Sequence, residues 1–374
     1  MASVDVTVQP GDVTGWLDVR GIRFRCESLT GRPEWLPVAD PEVLTRLGPC
    51  IVTGGGGSIG GVLARWLASA GVPLLVADVD EDRLYQISGE VGSEAEYQLL
   101  DICDARQVGE LVRRFQPQTI FHLAAKKHVR FVQGAARAAI MANAIGTMNI
   151  LDAAAALDTP ARVTVTSSDK ASVPQNLVGL TKRTAEEIVG AAWVAGARSV
   201  RAVRLPNVLG TAGGVLDHYV REGEAGRPLD VWSADMSRYF CCVHEATHAL
   251  VRATLSDRVA PLMILDVGQP VPIAALAASV ARTLDAAGCP TEVVVSERFE
   301  AVHARHETLH GPDERWDEGG DTPRLAVLER RFQPSSEIRD LVVGLAGSDR
   351  SDAELEAALW RLHAGATVGA PPDG

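Results

Sequence analysis

The chain has 374 residues, and 46% of them are hydrophobic, which is enough for one large domain or two ordinary ones with a sizeable core. Its 36 basic and 48 acidic residues give a net charge of −12. An acidic chain without a basic cluster argues against nucleic acid as a partner. It does not exclude a phosphorylated ligand, because backbone groups can bind phosphate locally in an acidic protein.

The cysteines and the apolar segments bear on where the protein works. The six cysteines show neither a CxxC motif nor the spacing of zinc ligands, so we expect buried, free thiols in a reducing compartment and no metal. The N-terminus lacks the continuous apolar core of a signal peptide, and no apolar run is expected to reach the length of a membrane span. The sequence therefore predicts a cytoplasmic protein with no membrane partner.

Residues 1–48 are predicted to form an N-terminal extension. Residues 16–26 alternate between apolar and polar types well enough to form a short strand or a hairpin. Asp40 followed by Pro41 predicts the capped start of a short helix.

A regular alternation of strands and helices begins at Pro49 and continues to residue 208. Apolar runs predict strands at residues 50–52, 72–77, 97–102, 119–123, 163–166 and 200–205. The segments between them have helical spacing, at residues 58–70, 81–88, 105–115, 131–157 and 179–195, and the fourth is long enough to be interrupted. This alternation indicates an α/β fold with a Rossmann-type, doubly wound parallel sheet.

The alternation weakens after Asn207, and residues 209–364 are predicted to form a smaller, mixed α/β substrate-binding lobe with C-terminal helices. Strands are predicted at 262–267 and 291–295, helices at 244–254, 272–287 and 351–363, and a polar loop at 310–322. Ser351 and Glu354 have the spacing of a capping box at the start of the last helix. The tail, residues 365–374, is predicted to be disordered.

The segment TGGGGSIG, at residues 53–60, follows a predicted strand and opens a predicted helix. Gly54, Gly57 and Gly60 would permit a tight turn whose backbone approaches a pyrophosphate at the helix N-terminus. Asp78 ends the next strand, where an acidic side chain binds a ribose 2′-hydroxyl and repels a 2′-phosphate, so NAD is favoured over NADP. A flexible structural loop is the alternative, and the well-placed acid argues against it.

Polar side chains cluster where the fifth predicted strand ends. Asp169 and Lys170 stand side by side after Ser168, which suggests proton transfer, and Lys182 in the following helix suggests a fixed cation. The alternative is a local ion pair in a solvated loop. His122, in an otherwise apolar strand, is expected to be a hydrogen-bonded core histidine rather than a base.

Several segments together resemble the extended short-chain dehydrogenase/reductases, in the order TGGGGSIG, DICD, FHLAAKKHV, NAIGTMNILDAA, TSSDKA with LTKR, RLPNVLGTAGG and DMSRYF. KKHV, SSDKA and MSRYF more narrowly resemble the polysaccharide-biosynthesis branch of the nucleotide-sugar 4,6-dehydratases. The resemblance covers about residues 20–330. ESLTGRP, at residues 27–33, is similar to the segment that links the membrane region to the catalytic domain in the long members, so we expect a soluble derivative.

This resemblance implies roles for individual residues. The implied cofactor contacts to NAD are Gly54, Gly57, Ser58, Ile59, Gly60, Asp78, Asp101, Ile102, Ala124, Ala125, Lys126, Asn143, Ser167 and Lys182. The implied contacts to a nucleotide-sugar substrate are Lys127, His128, Asn207 and Arg238. The implied catalytic residues are Ser168, Asp169, Lys170 and Lys182.

The implied reaction is a 4,6-dehydration of a nucleotide-activated hexose such as UDP-N-acetylglucosamine, giving a 4-keto-6-deoxy sugar. Bound NAD takes a hydride from C4 and returns it to C6. Lys170 removes the C5 proton, and we expect burial near Lys182 to lower the pKa of Lys170 for this task. Protonated Asp169 donates to the C6 hydroxyl as it leaves.

Two departures from the family pattern keep other functions open. Val178 stands where short-chain dehydrogenases carry a tyrosine base, and ARHETL, at residues 304–309, replaces the family's RPGEK-like segment. A nucleotide-sugar 4- or 5-epimerase, an oxidoreductase on the same scaffold, or an inactive NAD-binding module are therefore alternatives. A homo-oligomer is compatible with the resemblance.

Overall fold

The computed structural model describes residues 15–34, 40–298, 305–317, 324–332 and 335–364. The first elements are β1 (Trp16–Val19), β2 (Ile22–Arg25), α1 (Cys26–Thr30) and α2 (Pro41–Thr45). The two strands form the predicted hairpin, in which Trp16 lies opposite Arg25. Asp40 caps α2 as predicted, because its side chain accepts a hydrogen bond from the backbone N–H of Glu42.

The next part of the chain alternates between strands and helices. Its elements are β3 (Cys50–Thr53), α3 (Ser58–Ser69), β4 (Leu74–Asp78), α4 (Glu81–Val91), β5 (Glu96–Leu99), α5 (Ala105–Phe115), β6 (Thr119–His122), α6 (Val129–Val132), α7 (Ala136–Ile140), α8 (Gly146–Ala155), β7 (Arg162–Ser168), α9 (Leu177–Val194) and β8 (Val200–Leu205). The predicted long helix at 131–157 is interrupted, and a π-helical turn over Met141–Ile145 joins α7 to α8.

The remaining elements are shorter and more mixed. They are β9 (Asn207–Leu209), α10 (Val215–Glu224), β10 (Leu229–Val231), β11 (Ser237–Arg238), β12 (Phe240–Cys242), α11 (Val243–Leu255), β13 (Leu262–Leu265), β14 (Val271–Pro272), α12 (Ile273–Ala286), β15 (Val293–Val295), β16 (Arg315–Asp317), β17 (Leu325–Glu329), α13 (Ser335–Ala346) and α14 (Asp352–His363). Ser351 and Glu354 form the predicted capping box of α14. The predicted disordered tail, 365–374, lies outside the described residues.

The central sheet has nine strands in the order β16-β17-β13-β8-β7-β6-β3-β4-β5. The strands from β13 to β5 pair in parallel, and β17 and β16 add to one edge in antiparallel orientation. β16 lies inside the segment predicted to be a polar loop, which is a correction. Its three residues carry no apolar alternation, because it is an edge strand held by its pairing with β17.

Two apolar cores hold the chain together. The larger one fills both faces of the central sheet. The smaller one packs Leu17 and Phe24 of the N-terminal hairpin against Leu216 of α10 and Leu276 of α12. The predicted N-terminal extension thus packs on the predicted substrate lobe, while β13, β16 and β17 from that lobe extend the main sheet. The predicted domain boundaries stay predictions.

The helical run Ala136–Ala155 has the length and composition of a membrane span, which corrects the expectation that no apolar run is long enough. However, 56% of its most apolar window is buried inside the protein, and α8 packs against α5, β7 and α9. This is the environment of a core helix. The predicted cytoplasmic location stays a prediction.

A buried ionic network, formed by Glu186, Arg204, Glu314 and Arg330, joins the two halves of the sequence. Arg204 of β8 donates to Glu186 of α9 and to Glu314, at 2.7 Å in each case. Arg330, just after β17, donates to the same two carboxylates at 2.8 and 2.9 Å. The network therefore ties the C-terminal segments to the centre of the sheet.

Candidate active site

The glycine-rich turn between β3 and α3 is tightly enclosed by backbone. Gly54 has φ +69°, and a Cβ atom there would lie 2.6 Å from the backbone nitrogen of Ala124. A Cβ atom on Gly60 would lie 2.3 Å from the carbonyl oxygen of Gly54. α3 has no side-chain cap, so its first N–H groups remain available to an anionic ligand.

Asp78 fixes this turn to the end of β4. One carboxylate oxygen of Asp78 accepts from the N–H of Gly56 at 3.0 Å, and the other accepts from the N–H of Asp80 at 3.1 Å. The carboxylate also lines the cleft that the turn opens into. The ribose contact of Asp78 stays a prediction.

A cleft of about 1130 Å³ runs from the glycine turn across the carboxyl ends of the parallel strands. Most of the predicted site residues line it, namely Gly54, Gly57, Ser58, Ile59, Gly60, Asp78, Asp101, Ile102, Ala124, Ala125, Lys126, Lys127, His128, Ser167, Ser168, Lys170, Lys182, Asn207 and Arg238. The structure thus brings together residues that are far apart in the sequence. Asn143 and Asp169 do not line this cleft.

Asn143 lies behind the wall of the cleft, in the π-helical turn. Its side chain accepts from the N–H of Lys126 at 2.8 Å and donates to the carbonyl of the same residue at 3.0 Å. It also donates to Thr181 at 2.9 Å, next to Lys182 on α9. Asn143 therefore holds Lys126 and α9 in place rather than contacting a ligand in the cleft.

Lys170, Asn207 and Arg238 in the wall of the cleft belong to an acid–lysine cluster, which we define as Asp169, Lys170, Asn207, Arg238 and Glu307. The Lys170 ammonium lies 3.3 Å from Asp169, 3.1 Å from Asn207 and 2.9 Å from Glu307. The Asn207 amide donates to Asp169 at 3.1 Å and to Glu307 at 2.6 Å. The Arg238 guanidinium lies 3.4 Å from Glu307. A second cavity, of about 100 Å³, is lined by Asp169, Lys170 and Glu307.

The carboxyl groups of this cluster differ in their acidity. Burial and the charge of Glu307 raise the pKa of Asp169 to about 7, although Lys170 opposes the shift. Burial also acts to raise the pKa of Glu307, but Lys170 and Arg238 outweigh it and lower that pKa to about 2. Glu307 is therefore a fixed anion, and Asp169 can gain or lose a proton near neutral pH.

The prediction that burial near Lys182 lowers the pKa of Lys170 is wrong. Burial does act to lower it, but the adjacent carboxylates of Asp169 and Glu307 dominate and raise the pKa of Lys170. Burial instead lowers the pKa of Lys182, to about 8, despite the charge of Glu186. The ammonium of Lys182 donates to the carbonyl of Thr166 at 2.8 Å.

Val178 stands where a tyrosine base is expected, and the hydroxyl groups of Ser167 and Ser168 donate to carboxylates. Val178 is buried and lines the cleft one turn before Lys182. Ser168 donates to Asp169 at 2.9 Å, so its hydroxyl is linked to the acid–lysine cluster. Ser167 donates to Glu186 at 2.6 Å, which connects the cleft to the buried ionic network.

The histidines of this region have distinct surroundings. His122 is the predicted core histidine, with Nδ1 2.8 Å from the Thr53 hydroxyl and a pKa lowered to about 3 by burial and by Lys182. His128 faces the cleft, and its ring lies against Gly213 on the opposite wall, where a Cβ atom would come within 3.0 Å. Burial and the charges of Lys127 and Arg83 lower the pKa of His128.

Two features of the site were not recognised from the sequence. Glu307 lies in ARHETL, which differs from the expected family segment, and only the folded chain brings this glutamate to Lys170. The chain also contains only four lysines, and all of them, Lys126, Lys127, Lys170 and Lys182, line the cleft. The lysine count was a signal in the composition that could have directed attention to these residues.

Comparisons with known proteins add to this geometry. The chain matches the family described as "Polysaccharide biosynthesis protein" over residues 50–298. It is 32% identical to the probable polysaccharide biosynthesis protein EpsC of Bacillus subtilis, over 68% of this chain and 44% of the relative. It is 31% identical to the capsular polysaccharide biosynthesis protein CapD of Staphylococcus aureus, over 72% of this chain and 47% of the relative. The matches thus span about half the length of these relatives.

Solved structures share the fold at lower sequence identity. Pen from Bacillus thuringiensis has a TM-score of 0.65 at 22% identity, covering 77% of this chain and 88% of that chain. A UDP-glucose 4-epimerase of Thermotoga maritima has a TM-score of 0.59 at 18% identity, covering 70% of this chain and 89% of that chain. A DesIV double mutant, a dTDP-glucose 4,6-dehydratase from Streptomyces venezuelae, has a TM-score of 0.58 at 19% identity. The match covers 70% of this chain and 88% of that chain. These likenesses confirm the predicted Rossmann-type fold.

Proposed function

Because the chain belongs to the polysaccharide biosynthesis protein family, we propose that it is an NAD-dependent enzyme that dehydrates a nucleotide-activated hexose between C4 and C6. The product would be a 4-keto-6-deoxy sugar nucleotide, and UDP-N-acetylglucosamine is the first substrate to test. The observation that carries the proposal is the acid–lysine cluster, whose Lys170, Asn207 and Arg238 line the same cleft as the glycine turn.

The cleft fits a dinucleotide at the end formed by the glycine turn. Backbone fills the space where Cβ atoms of Gly54 and Gly60 would lie, and α3 leaves its N-terminal N–H groups without a side-chain cap. Asp78 would bind the adenosine ribose, and Lys182 would bind the nicotinamide ribose. When bound, NAD supplies a hydride acceptor and donor and ends the reaction unchanged.

Proton transfer is assigned to Asp169 and Lys170. In the resting arrangement Lys170 is a cation beside the Asp169 carboxylate, at 3.3 Å. Transfer of one proton from Lys170 to Asp169 would produce both required groups, a neutral amine that removes the C5 proton and a carboxylic acid that donates to the departing C6 hydroxyl. Burial raises the pKa of Asp169 to about 7, which favours this transfer, whereas the raised pKa of Lys170 opposes it.

The other members of the cluster position this pair. Asn207 bonds to both carboxyl groups, so it fixes the angle between Asp169 and Glu307. Glu307 holds the Lys170 ammonium from the other side, and Arg238 balances the charge of Glu307. Arg238 also lines the cleft, where its guanidinium can meet the diphosphate or the base of the substrate.

The test is mass spectrometry of the full-length protein incubated with UDP-N-acetylglucosamine and a panel of other nucleotide-hexoses in deuterated water. We expect loss of one water and incorporation of deuterium at C5 with one of them. Lys170→Met and Asp169→Asn should abolish this change and retain NAD. Glu110→Gln, an exposed carboxylate on α5, is the matched control and should stay active.

Other results of this experiment would support the alternative functions. Deuterium uptake without loss of water would indicate a 5-epimerase, which needs the same proton removal. Net formation of NADH would indicate an oxidoreductase. Bound NAD with no change in any sugar would leave an inactive binding module, and the proposed dehydratase would then be wrong.

A further inference from the structure

Three side chains with metal-ligating atoms meet outside the acid–lysine cluster. Cys26 begins α1, Glu34 lies shortly after α1, and Cys242 ends β12. The two sulfur atoms and one carboxylate oxygen all lie within 4.8 Å of one another. The prediction that the cysteines are free thiols holds for all six in the structure, but these two are brought together with an acid.

The group is enclosed, and one of its atoms has no hydrogen-bond partner. Cys26 and Cys242 are both 0% exposed. The Cys242 thiol donates to one carboxylate oxygen of Glu34, while the other oxygen, Oε2, is buried without a partner. A buried carboxylate oxygen without a partner is costly and calls for an explanation such as a bound ion.

The charges around Cys26, Glu34 and Cys242 favour the binding of a cation. Arg32 binds both oxygens of Glu245, at 2.7 and 2.9 Å, so these two residues neutralise each other. Glu34 has no such partner among the salt bridges of the described residues.

We propose that Cys26, Glu34 and Cys242 bind a zinc ion in a structural site. Two thiolates and a carboxylate are a donor set that suits Zn²⁺, which prefers four ligands in a tetrahedron. Glu245, with one oxygen 3.4 Å from the Cys242 sulfur, or a water molecule would complete the set. On binding, the two thiol protons leave to solvent, so that the thiolates and Glu34 face the dication.

The site would attach the N-terminal segment to the substrate side of the cleft. Cys242 belongs to β12, whose Phe240 lines the cleft and pairs with Asn207 of β9. Arg32 donates to the carbonyl oxygen of Phe240 at 3.1 Å, next to the proposed zinc ligands. Zinc would therefore stabilise the strand pair that carries part of the acid–lysine cluster.

The experiment measures zinc in the full-length protein after incubation with zinc sulfate and dialysis against metal-free buffer. We expect about one retained zinc per chain, as one site of three protein ligands requires. Cys26→Ser, Cys242→Ser and Glu34→Gln should each retain at least tenfold less. Cys289→Ser, which removes a half-buried cysteine elsewhere, is the matched control and should retain zinc like the unaltered chain.

A second measurement keeps the test valid if a cysteine variant fails to fold. Cobalt added to the unaltered chain should give a thiolate-to-cobalt charge-transfer band, and zinc should displace it. Absence of both retained zinc and this band would overturn the proposal, as would equal zinc retention in Glu34→Gln. A Cys26–Cys242 disulfide, mapped by peptide mass spectrometry of the denatured, unreduced chain, would also overturn it.

Discussion

The pKa of Asp169 is determined by burial and by the charged groups around it. It is 1% exposed, and its carboxyl lies between a lysine and an amide, with Glu307 held by the same two groups. Burial and Glu307 push its pKa upward, and Lys170 pulls it downward. The proposed reaction needs one proton shared between Asp169 and Lys170, so activity should rise with pH through the pKa of Asp169.

Glu307→Gln should move this rise to lower pH. The substitution removes a negative neighbour of Asp169, so the pKa of Asp169 falls, and a shift of about one pH unit is the expected scale. The measurement is the pH profile of turnover with saturating substrate. Glu110→Gln is the control and should leave the profile in place. A profile that does not move in Glu307→Gln would contradict the coupling between these carboxyls.

The candidate site was predictable where its residues are neighbours in sequence. Asp169, Lys170 and Lys182 were found because they follow a strand and open a helix. The fold places Lys170 and Lys182 in the cleft wall, with Asp169 beside Lys170. Glu307 was not found, because no local pattern says that residues 305–309 return to the end of β7. The pKa of Lys170 was misjudged for the same reason, since Glu307 dominates its surroundings together with Asp169.

At the scale of one element, the turn between β3 and α3 depends on the absence of side chains. Gly54 combines a positive φ with close backbone, whereas Gly71 has nearly the same φ, +68°, and no atom within 4 Å of an added Cβ. The two positions therefore separate the cost of a left-handed backbone from the cost of a steric clash.

Gly54→Ala should disrupt the turn, while Gly71→Ala should cost only about 1–2 kcal/mol of backbone strain. We expect Gly54→Ala to lose NAD binding, because the displaced turn can no longer approach a pyrophosphate. The measurements are the free energy of unfolding in urea and NAD affinity by calorimetry. Equal effects of the two substitutions on NAD affinity would show that steric closeness at Gly54 does not matter.

Most elements followed from apolar periodicity, and the exceptions have physical causes. β3 and β4 in the middle of the parallel sheet are almost fully buried, so they stand out as apolar runs. The π-helical turn at Met141–Ile145 could not be predicted, because Asn143 needs its tertiary partners Lys126 and Thr181 to hold it. β16 could not be predicted either, since three residues at a sheet edge carry no period.

At the scale of the whole molecule, the buried ionic network joins segments from both halves of the chain. Glu186 and Arg204 come from the parallel part of the sheet, and Glu314 and Arg330 come from the C-terminal part. Arg204 and Glu186 are fully buried, so each charge depends on its partners for solvation.

Arg204→Met should lower the free energy of unfolding by about 3–5 kcal/mol, because it leaves two buried carboxylates without their main partner. Arg106→Met is the matched control. Arg106 pairs with Glu110 on the surface of α5, where both side chains are more than half exposed, so its loss should cost less than about 1 kcal/mol. Urea unfolding measures both values. Similar losses in the two variants would contradict the role of the network.

The restriction of all four lysines to the cleft has a chemical consequence. Apart from the amino terminus, every primary amine of the chain belongs to the wall of one cavity, while the basic surface elsewhere consists of arginine. An aldehyde-bearing nucleotide analogue that forms imines would therefore react almost entirely inside the cleft. Covalent labelling of these lysines would therefore report ligand occupancy of the cleft without any engineered residue.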